Sequence, residues 1–502
     1  MAGIHKRFGD VQANVDVHLT VAQGTLHGLI GENGAGKSTL MSVLYGLHPA
    51  DRGSITVFGK NVRIAHADEA IACGIGMVHQ HFMLVDTLSA LENVMLGAEP
   101  HWYLPQASVP VRQRLHDLMN STGLRVPLDA TVADLSVGDR QRLEILKALY
   151  RGARILILDE PTAVLTPQEA DQLFTVLRQL RAQGSTVILI THKLKEVMAL
   201  CDQVTVMRAG RVVADLPVRE ASVEALAQAM VGRKVQLERP PVSAPVAVQP
   251  DAVLQAKDLS LRDAAGVLRL SGIDLQLHAG EIVGIAGVSG NGQSELLDVL
   301  SGLAAPDSGA LQVLGHHFVA GAWLDPFRAR AMGLAHVPED RHARAMVMDF
   351  PAWESAVLGY ESLLQYCRRG WMRAGAMRRA TEAMMERFDV RPRKAKLASR
   401  KFSGGNQQKL VLARELGQNP RVLLVGQPTR GVDIGAIEFI YGQLRAMREA
   451  GCAVLVVSSE LDEILALSDR VLVMYHGRIT GNLAIADCSQ ERLGLLMAGA
   501  GT

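Results

Sequence analysis

The stretch Gly31–Thr39, G-E-N-G-A-G-K-S-T, limits what this chain can fold into more than any other nine residues. It fits the phosphate-binding template G-x-x-x-x-G-K-[ST], with the apolar run L-H-G-L-I before it and a helical pattern after it. Glycines at 31, 34 and 36 let the backbone take positive φ and turn its N–H groups inward, so the loop becomes an anion nest at a helix N-terminus. In such a loop Lys37 reaches the β and γ phosphates and the Ser38 hydroxyl faces Mg2+. Two further apolar runs, Ile155–Leu158 and Val187–Ile190, read as buried parallel strands, and the resulting fold is α/β with ligands at the strand C-termini.

The chain then starts again. Gly287, in G-V-S-G-N-G-Q-S, follows Gly31 by 256 residues, while Ser403 follows Ser136, Gly426 follows Asp159 and Ser459 follows His192 by 267 each. The constant later offset places the second copy's extra residues upstream, in its helical region, which in the first copy runs from about Val85 to Tyr150. Pro240, Pro241, Pro245 and Pro250 interrupt any period between the copies. The expected division is a first domain at 1–237, a Pro-rich linker at 238–251 and a second domain at 252–502. V-D-V-H-L-T-V, Val15–Val21, alternates like an antiparallel strand. The second copy opens with V-L-Q-A, Val253–Ala256, whose counterpart falls upstream of Met1, so the first copy is expected to lack its first strand and the natural start to lie upstream.

At 502 residues the chain is too long for one ordinary core. Lys and Arg number 52 against 51 Asp and Glu, so no overall field argues for nucleic acid. Cys73, Cys201, Cys367, Cys452 and Cys488 are odd in number and widely spaced, which speaks against disulfides and cysteine metal sites and for reduced thiols in the cytosol. No run approaches the ~18 to 20 apolar residues of a membrane span. A membrane role must come through a partner.

Further motifs follow the phosphate loop in order: Gln80 in M-V-H-Q, Leu135–Gln141 (L-S-V-G-D-R-Q), Asp159-Glu160 after a strand, and His192 after another. Singly, each is more often a surface polar residue. Together and in this order they resemble the ATP-binding-cassette (ABC) nucleotide-binding domain, with Walker A, Q-loop, signature, Walker B and switch histidine. The resemblance covers essentially the whole chain, twice. It implies two tandem P-loop ATPase domains, each a mostly parallel sheet core with an antiparallel β subdomain and a helical subdomain. It implies ATP and Mg2+ as cofactors: Gly31, Asn33, Gly34, Gly36, Lys37, Ser38 and Thr39 on the phosphates, and Ser38, Gln80 and Asp159 at the metal. Glu160 is the base that polarises water, with His192 and Gln80 completing the catalytic set. Phe8 is expected to stack on adenine. The second signature, Ser403, Gly404, Gly405 and Gln407 in F-S-G-G-N-Q-Q-K, is implied to close the first copy's site.

The second copy's own site departs at every charged position. Among its Gly287, Gly292, Gln293 and Ser294, the glutamine stands for the loop lysine. Gly426-Gln427 replace Asp-Glu, Ser459 replaces the histidine, Glu339 of V-P-E-D-R replaces the Q-loop glutamine, and the partnering signature, Ser136 to Gly138, is altered. No metal carboxylate or base is expected there, so phosphate binding without hydrolysis is the expectation. S-G-G-N-Q-Q-K, P-E-D-R and Q-P-T-R-G-V-D-I-G-A resemble the double-cassette ATPases of bacterial simple-sugar importers, for ribose and galactosides. G-N-G-Q-S and G-Q-P-T look more like the nucleoside branch. The partners implied are two membrane permease subunits and an extracytoplasmic receptor, with this chain peripheral on the cytoplasmic face of the plasma membrane. Docking is expected after Gln80 and Glu339, at Phe82, Met83 and Leu84 and at Met346, Val347 and Met348. The rival readings are a tandem cassette on ribosomes, which should keep two intact sites and a charged linker, and a DNA-repair cassette, which should carry zinc cysteines or long coiled coils.

Overall fold

The computed structural model describes residues 1–9, 11–79, 82–98, 104–162, 165, 167–233, 251–288, 290–432, 434–497 and 499. The chain divides into two compact units, Met1–Val235 and Gln236–Thr502. The expected linker lies outside the described residues, Asp251 excepted.

In the first unit the strands are β1 (Ala2–Phe8), β2 (Val11–Val17), β3 (Leu26–Gly31), β4 (Arg52–Val57), β5 (Lys60–Val62), β6 (Ile75–Val78), β7 (Ile155–Asp159), β8 (Thr186–Thr191), β9 (Gln203–Arg208) and β10 (Arg211–Pro217). Helices α1 (Lys37–Leu44), α2 (Ala67–Ala72), α3 (Ala90–Met95), α4 (Leu104–Thr122), α5 (Val137–Tyr150), α6 (Pro167–Ala182), α7 (Leu194–Leu200) and α8 (Val223–Val231) fill the intervals. One sheet is antiparallel, β2-β1-β4-β5, and the other runs β10-β9-β3-β8-β7-β6, parallel except for the β9–β10 hairpin. Strands β3 and β8 are buried along their whole length, which is why their sequences are mostly apolar without alternation, the buried His27 of β3 being 2.8 Å from Thr205 Oγ1. Leu29, Leu40, Met41, Ile157 and Ile188 share a core with Ile4 and Val17 of the antiparallel sheet. A separate core, with Leu91, Val94, Leu115, Leu143 and Leu146, holds α3, α4 and α5 together. Ser89 caps α3 reciprocally with Glu92, fixing where the helical part begins.

The second unit repeats the plan with β11 (Ala252–Arg262), β12 (Leu268–His278), β13 (Ile282–Ala286), β14 (Ser308–Val313), β15 (His316–Val319), β16 (Leu334–Val337), β17 (Cys367–Arg368), β18 (Trp371–Met372), β19 (Val422–Gly426), β20 (Ala453–Ser458), β21 (Arg470–Tyr475) and β22 (Arg478–Ala484). Its helices are α9 (Gln293–Ser301), α10 (Pro326–Met332), α11 (Ala352–Ser355), α12 (Ala374–Arg387), α13 (Gly404–Leu416), α14 (Ile434–Glu449), α15 (Leu461–Leu467) and α16 (Gln490–Met497). Two of its sheets, β12-β11-β14-β15 and β16-β19-β20-β13-β21-β22, match those of the first unit position for position, and β17-β18 forms a further two-stranded one.

Three sequence expectations are corrected. The first unit has its first strand: β1 lies between β2 and β4 as β11 lies between β12 and β14. It is seven residues long against eleven, and Met1 bonds Leu19 through both backbone groups. Register shifts after Ile4 and Lys6 break the alternation that would have marked it. The next strand, expected at Val15–Val21, instead ends at Val17. The extra residues of the second unit are also not all helical. Lys60 and His316 open equivalent strands 256 apart, and Ile75 and Leu334 open the next pair 259 apart, so three residues enter before β16.

Candidate nucleotide sites

In the first unit β3 runs into the phosphate loop, and Gly36 takes φ +97° as the N-cap of α1. A Cβ there would strike the Ala13 carbonyl, so only glycine lets the loop close beneath the neighbouring sheet. The buried Lys37 donates from Nζ to the carbonyls of Gly31 (2.8 Å) and Glu32 (3.0 Å). Asn33, Gly34 and Thr39 lie in the same loop and first helical turn.

Strands β7 and β8 are paired neighbours, and their ends bring the acidic and imidazole groups together. Asp159 is buried. Burial raises its carboxyl above the ordinary value and nearby Glu160 adds to this, against the Ser38 hydroxyl bond and the charge of Lys37. Glu160 sits in left-handed backbone, φ +47°, with its N–H on the Ile190 carbonyl at 2.9 Å. His192 Nδ1 lies 2.9 Å from Glu160 Oε1. Burial works to raise this carboxyl too, but the His192 bond and charge, with Lys37 and Lys193, outweigh it and hold Glu160 below its ordinary value. Two adjacent carboxylates are thus pushed apart in acidity by their surroundings, and the lower one faces the imidazole. Gln80 lies outside the described residues.

Beneath this pair is a feature the sequence reading missed. The buried Glu196 accepts from Thr162 Oγ1 at 2.5 Å and from Thr191 Oγ1 at 3.3 Å, tying the turn after β7 to the end of β8. The second unit has Glu463 with Thr429 and Ser458, again 267 residues on. A buried acid recurring at the same offset was the available signal.

The second site keeps the frame and changes the groups. Gly292 caps α9 in left-handed backbone as Gly36 caps α1. The buried Gln293 donates from Nε2 to the Val288 carbonyl at 3.1 Å, a neutral echo of Lys37. Gln427 takes φ +45°, and its Oε1 accepts from Ser459 N–H at 3.4 Å and Oγ at 3.3 Å. A carboxylate does stand at the loop hydroxyl of this site. Glu339 turns into the site and accepts from Ser294 Oγ at 2.6 Å. It fits because Gly426 has no side chain: a Cβ on Gly426 would come 2.5 Å from Glu339 Cγ.

The family description "ABC transporter" matches residues 15–163 and again 270–430. The chain belongs to the ABC transporter family. Its two units are ABC cassettes, and the protein is an ATP-binding, ATP-hydrolysing one. It is 44% identical to the guanosine import ATP-binding protein NupO of Bacillus subtilis, over 99% of this chain and 97% of that protein. It is 42% identical to the nucleoside import ATP-binding protein NupA of Lactococcus lactis, with the same coverage. Ribosome-bound archaeal ABCE1, solved with Pelota, superposes with TM-score 0.67 over 99% of this chain and 81% of that one, at 19% identity, a likeness of fold alone.

The two signature helices of this ABC protein differ electrostatically. Ser136 caps α5 by accepting from Asp139 N–H (3.1 Å), and its hydroxyl donates to the Asp139 carboxylate (2.7 Å). Gly138 abuts Glu169, whose Oε1 would be 2.6 Å from an added Cβ. At α13 the corresponding side chain is neutral: Asn406 Nδ2 donates to Ser403 Oγ at 2.8 Å. A Cβ on Gly404 would meet the Arg341 guanidinium and the Gly431 carbonyl, each at 2.7 Å. The α5 start carries the Asp139 carboxylate, itself paired with Arg142 at 2.7 Å, and the α13 start carries a neutral amide in its place, which leaves the latter better suited to an anion. Gly405 is buried within α13. The buried amide of Gln407 donates to the Ser399 carbonyl (3.1 Å) and lies 2.9 Å from His342 Nε2, so it fastens the P-E-D-R turn.

Of the expected docking residues, Met83 is exposed, its backbone N–H held by Glu144 (2.7 Å) and its carbonyl by Lys147 (2.9 Å). Phe82 and Leu84 are half-buried. Val347 is exposed, but Met346 is buried in the main core of its unit and Met348 packs against that core, so those two are structural. Phe8 is 43% exposed, edge-on to His48 at 5.1 Å.

Proposed function

We propose that the chain is the ATP-hydrolysing subunit of an importer that drives uptake of a nucleoside or simple sugar through two permease subunits served by an extracytoplasmic receptor. The observation that carries this is the Glu160–His192 pair beside Asp159 and Lys37, present once among the described residues, in a family whose similar members are named for guanosine and nucleoside import. No helix among the described residues is long and apolar enough to cross a membrane, which agrees with a peripheral place on the cytoplasmic face.

In the first site the nest at 31–36 and the Lys37 ammonium bind the triphosphate. Ser38 and Asp159, already hydrogen-bonded to each other and both oxygen donors, are the residues that would hold Mg2+, with Gln80 as the remaining candidate. When bound, Mg2+ neutralises charge on the β and γ phosphates. Glu160, kept ionised by His192, accepts the proton of the attacking water, and His192 Nε2 is the atom we assign to the γ-phosphate. Ser403 and Gly404, at the start of α13, are the signature residues we assign to a nucleotide's γ-phosphate. ATP thereby biases the permease between its openings, and hydrolysis resets it. Phe8 is the adenine platform. Boundaries near 1–237 and 252–502 accompany this reading.

Purification in detergent beside the permeases encoded with it is the test. Expected are co-elution and an ATPase rate that rises when receptor and a nucleoside are added. Co-sedimentation with ribosomes and no permease-dependent rate would overturn the reading.

A further inference from the structure

The second cassette's carboxylate has moved, not vanished. In the first unit the first-turn hydroxyl of α1, Ser38, bonds Asp159 at the end of β7. In the second, the equivalent hydroxyl of α9, Ser294, bonds Glu339, which arrives from the turn after β16, one strand further towards the sheet edge. Glu339 Cγ occupies the room that Gly426 leaves where Asp159 has its side chain. Two different residues on two different strands thus deliver a carboxylate to one hydroxyl on the same scaffold.

Glu339 stands here with neutral Gln293 and Gln427 where the first site has Lys37 and Glu160. With no ammonium on the loop, a bare polyphosphate brought against Glu339 meets only repulsion from that carboxylate. A divalent cation between them turns the same carboxylate into an attraction. A hydroxyl, a carboxylate and phosphate oxygens are a donor set of the kind Mg2+ takes.

We propose that the second cassette is a strictly metal-dependent site for a nucleoside di- or triphosphate, its cation held by Ser294 and Glu339, and that it retains the nucleotide because Gln427 is no base. The proposal rests on the nucleotide-binding reading above only for the identity of the ligand.

The test counts nucleotide-dependent Mn2+ by electron paramagnetic resonance on the full chain with the non-hydrolysable analogue AMP-PNP. Wild type should bind two Mn2+ per chain, Glu339→Gln one, and Lys37→Ala should lose the other. With EDTA in place of metal, AMP-PNP should no longer bind at the second site. The double variant Glu339→Gly/Gly426→Asp, which returns the carboxylate to the strand end, should recover the second Mn2+ and shows that the loss in Glu339→Gln is not misfolding. One Mn2+ in wild type, or two in Glu339→Gln, overturns the proposal. If Lys37→Ala removed no nucleotide, the reading of the first site would fail instead, independently of Glu339.

Discussion

At the end of β7 Glu160 stands at φ +47°, and at the end of β19 Gln427 stands at φ +45°, so both units hold a non-glycine residue in the same costly backbone well. Each takes the N–H bond that the turn requires, Glu160 to Ile190 and Gln427 to Val457. Each turn is braced from beneath by a buried glutamate, 196 or 463. What separates the two strand ends is the side-chain pair: carboxylate and imidazole at the first, amide and hydroxyl at the second. The scaffold that aims these side chains is the same in both cassettes.

The largest expected effect tests whether charge alone makes the difference. Removing a positioned base costs ~10² to 10⁴ in rate, so Glu160→Gln should all but abolish steady-state ATPase activity while ATP binding persists. The reverse exchange, Gln427→Glu, should gain almost nothing, because Ser459 offers no imidazole and Gln293 no ammonium. Substantial activity in Glu160→Gln would break the comparison. Next come the signatures. Ser403→Arg crowds a helix start that favours anions and should lower activity about tenfold or more. Ser136→Arg, at a start already carrying Asp139 and Glu169, should change it by less than about threefold. Equal losses in the permease-coupled assay would mean that both sites work.

Much of this was legible beforehand, and the reason is physical. Phosphate loops and strand-end acids depend on local sequence, so G-E-N-G-A-G-K-S-T and I-L-I-L-D-E announce themselves, and the 267-residue offset carries the reading to the second unit. Where contact is made by residues distant in sequence, the reading failed. Glu339 looked like a lost glutamine because its partner, the space at Gly426, lies 87 residues on. Nothing local to Gln407 shows its bonds to Ser399 and His342 either. β1 escaped notice because bulges break its alternation.

The braces supply a pH test. Burial pushes the Glu463 carboxyl up to about 7, against the bonds from Ser458 and Thr429, and raises Glu196 in the same direction. A raised carboxyl keeps its proton in the folded state after the unfolded chain has lost it. Stability is therefore lost as pH rises from the ordinary carboxylate range to about 7, at up to ~1.4 kcal/mol per pH unit. Melting temperatures between pH 5 and 8 should fall in wild type relative to Glu463→Gln by a few degrees. Parallel curves would show that Glu463 is ionised throughout.

The smallest effect concerns the aromatic platform, where the units differ again. Phe8 pairs with Val11 at the turn between β1 and β2. At the corresponding turn the second unit has Asp263, whose carboxylate is spent on the backbone of Ala265 and Val267 and on Arg269. One turn offers a ring face and the other a closed polar knot. Phe8 is too exposed to contribute much to the core: its ring meets the edge of His48 and lies 5.4 Å from Lys6 Nζ, which is itself anchored on Pro49 and Asp51. An aromatic stacking contact is worth about 1 kcal/mol, or about fivefold in affinity. Phe8→Ala should therefore weaken ATP binding at the first site about fivefold, with a change in melting temperature of less than about 2 °C. Asp263→Ala should do the reverse, loosening its turn and leaving first-site affinity unchanged. A Phe8→Ala protein that melts several degrees lower yet binds ATP as wild type would make the ring a cover for the sheet edge, and the two turns would then differ only in how they are fastened.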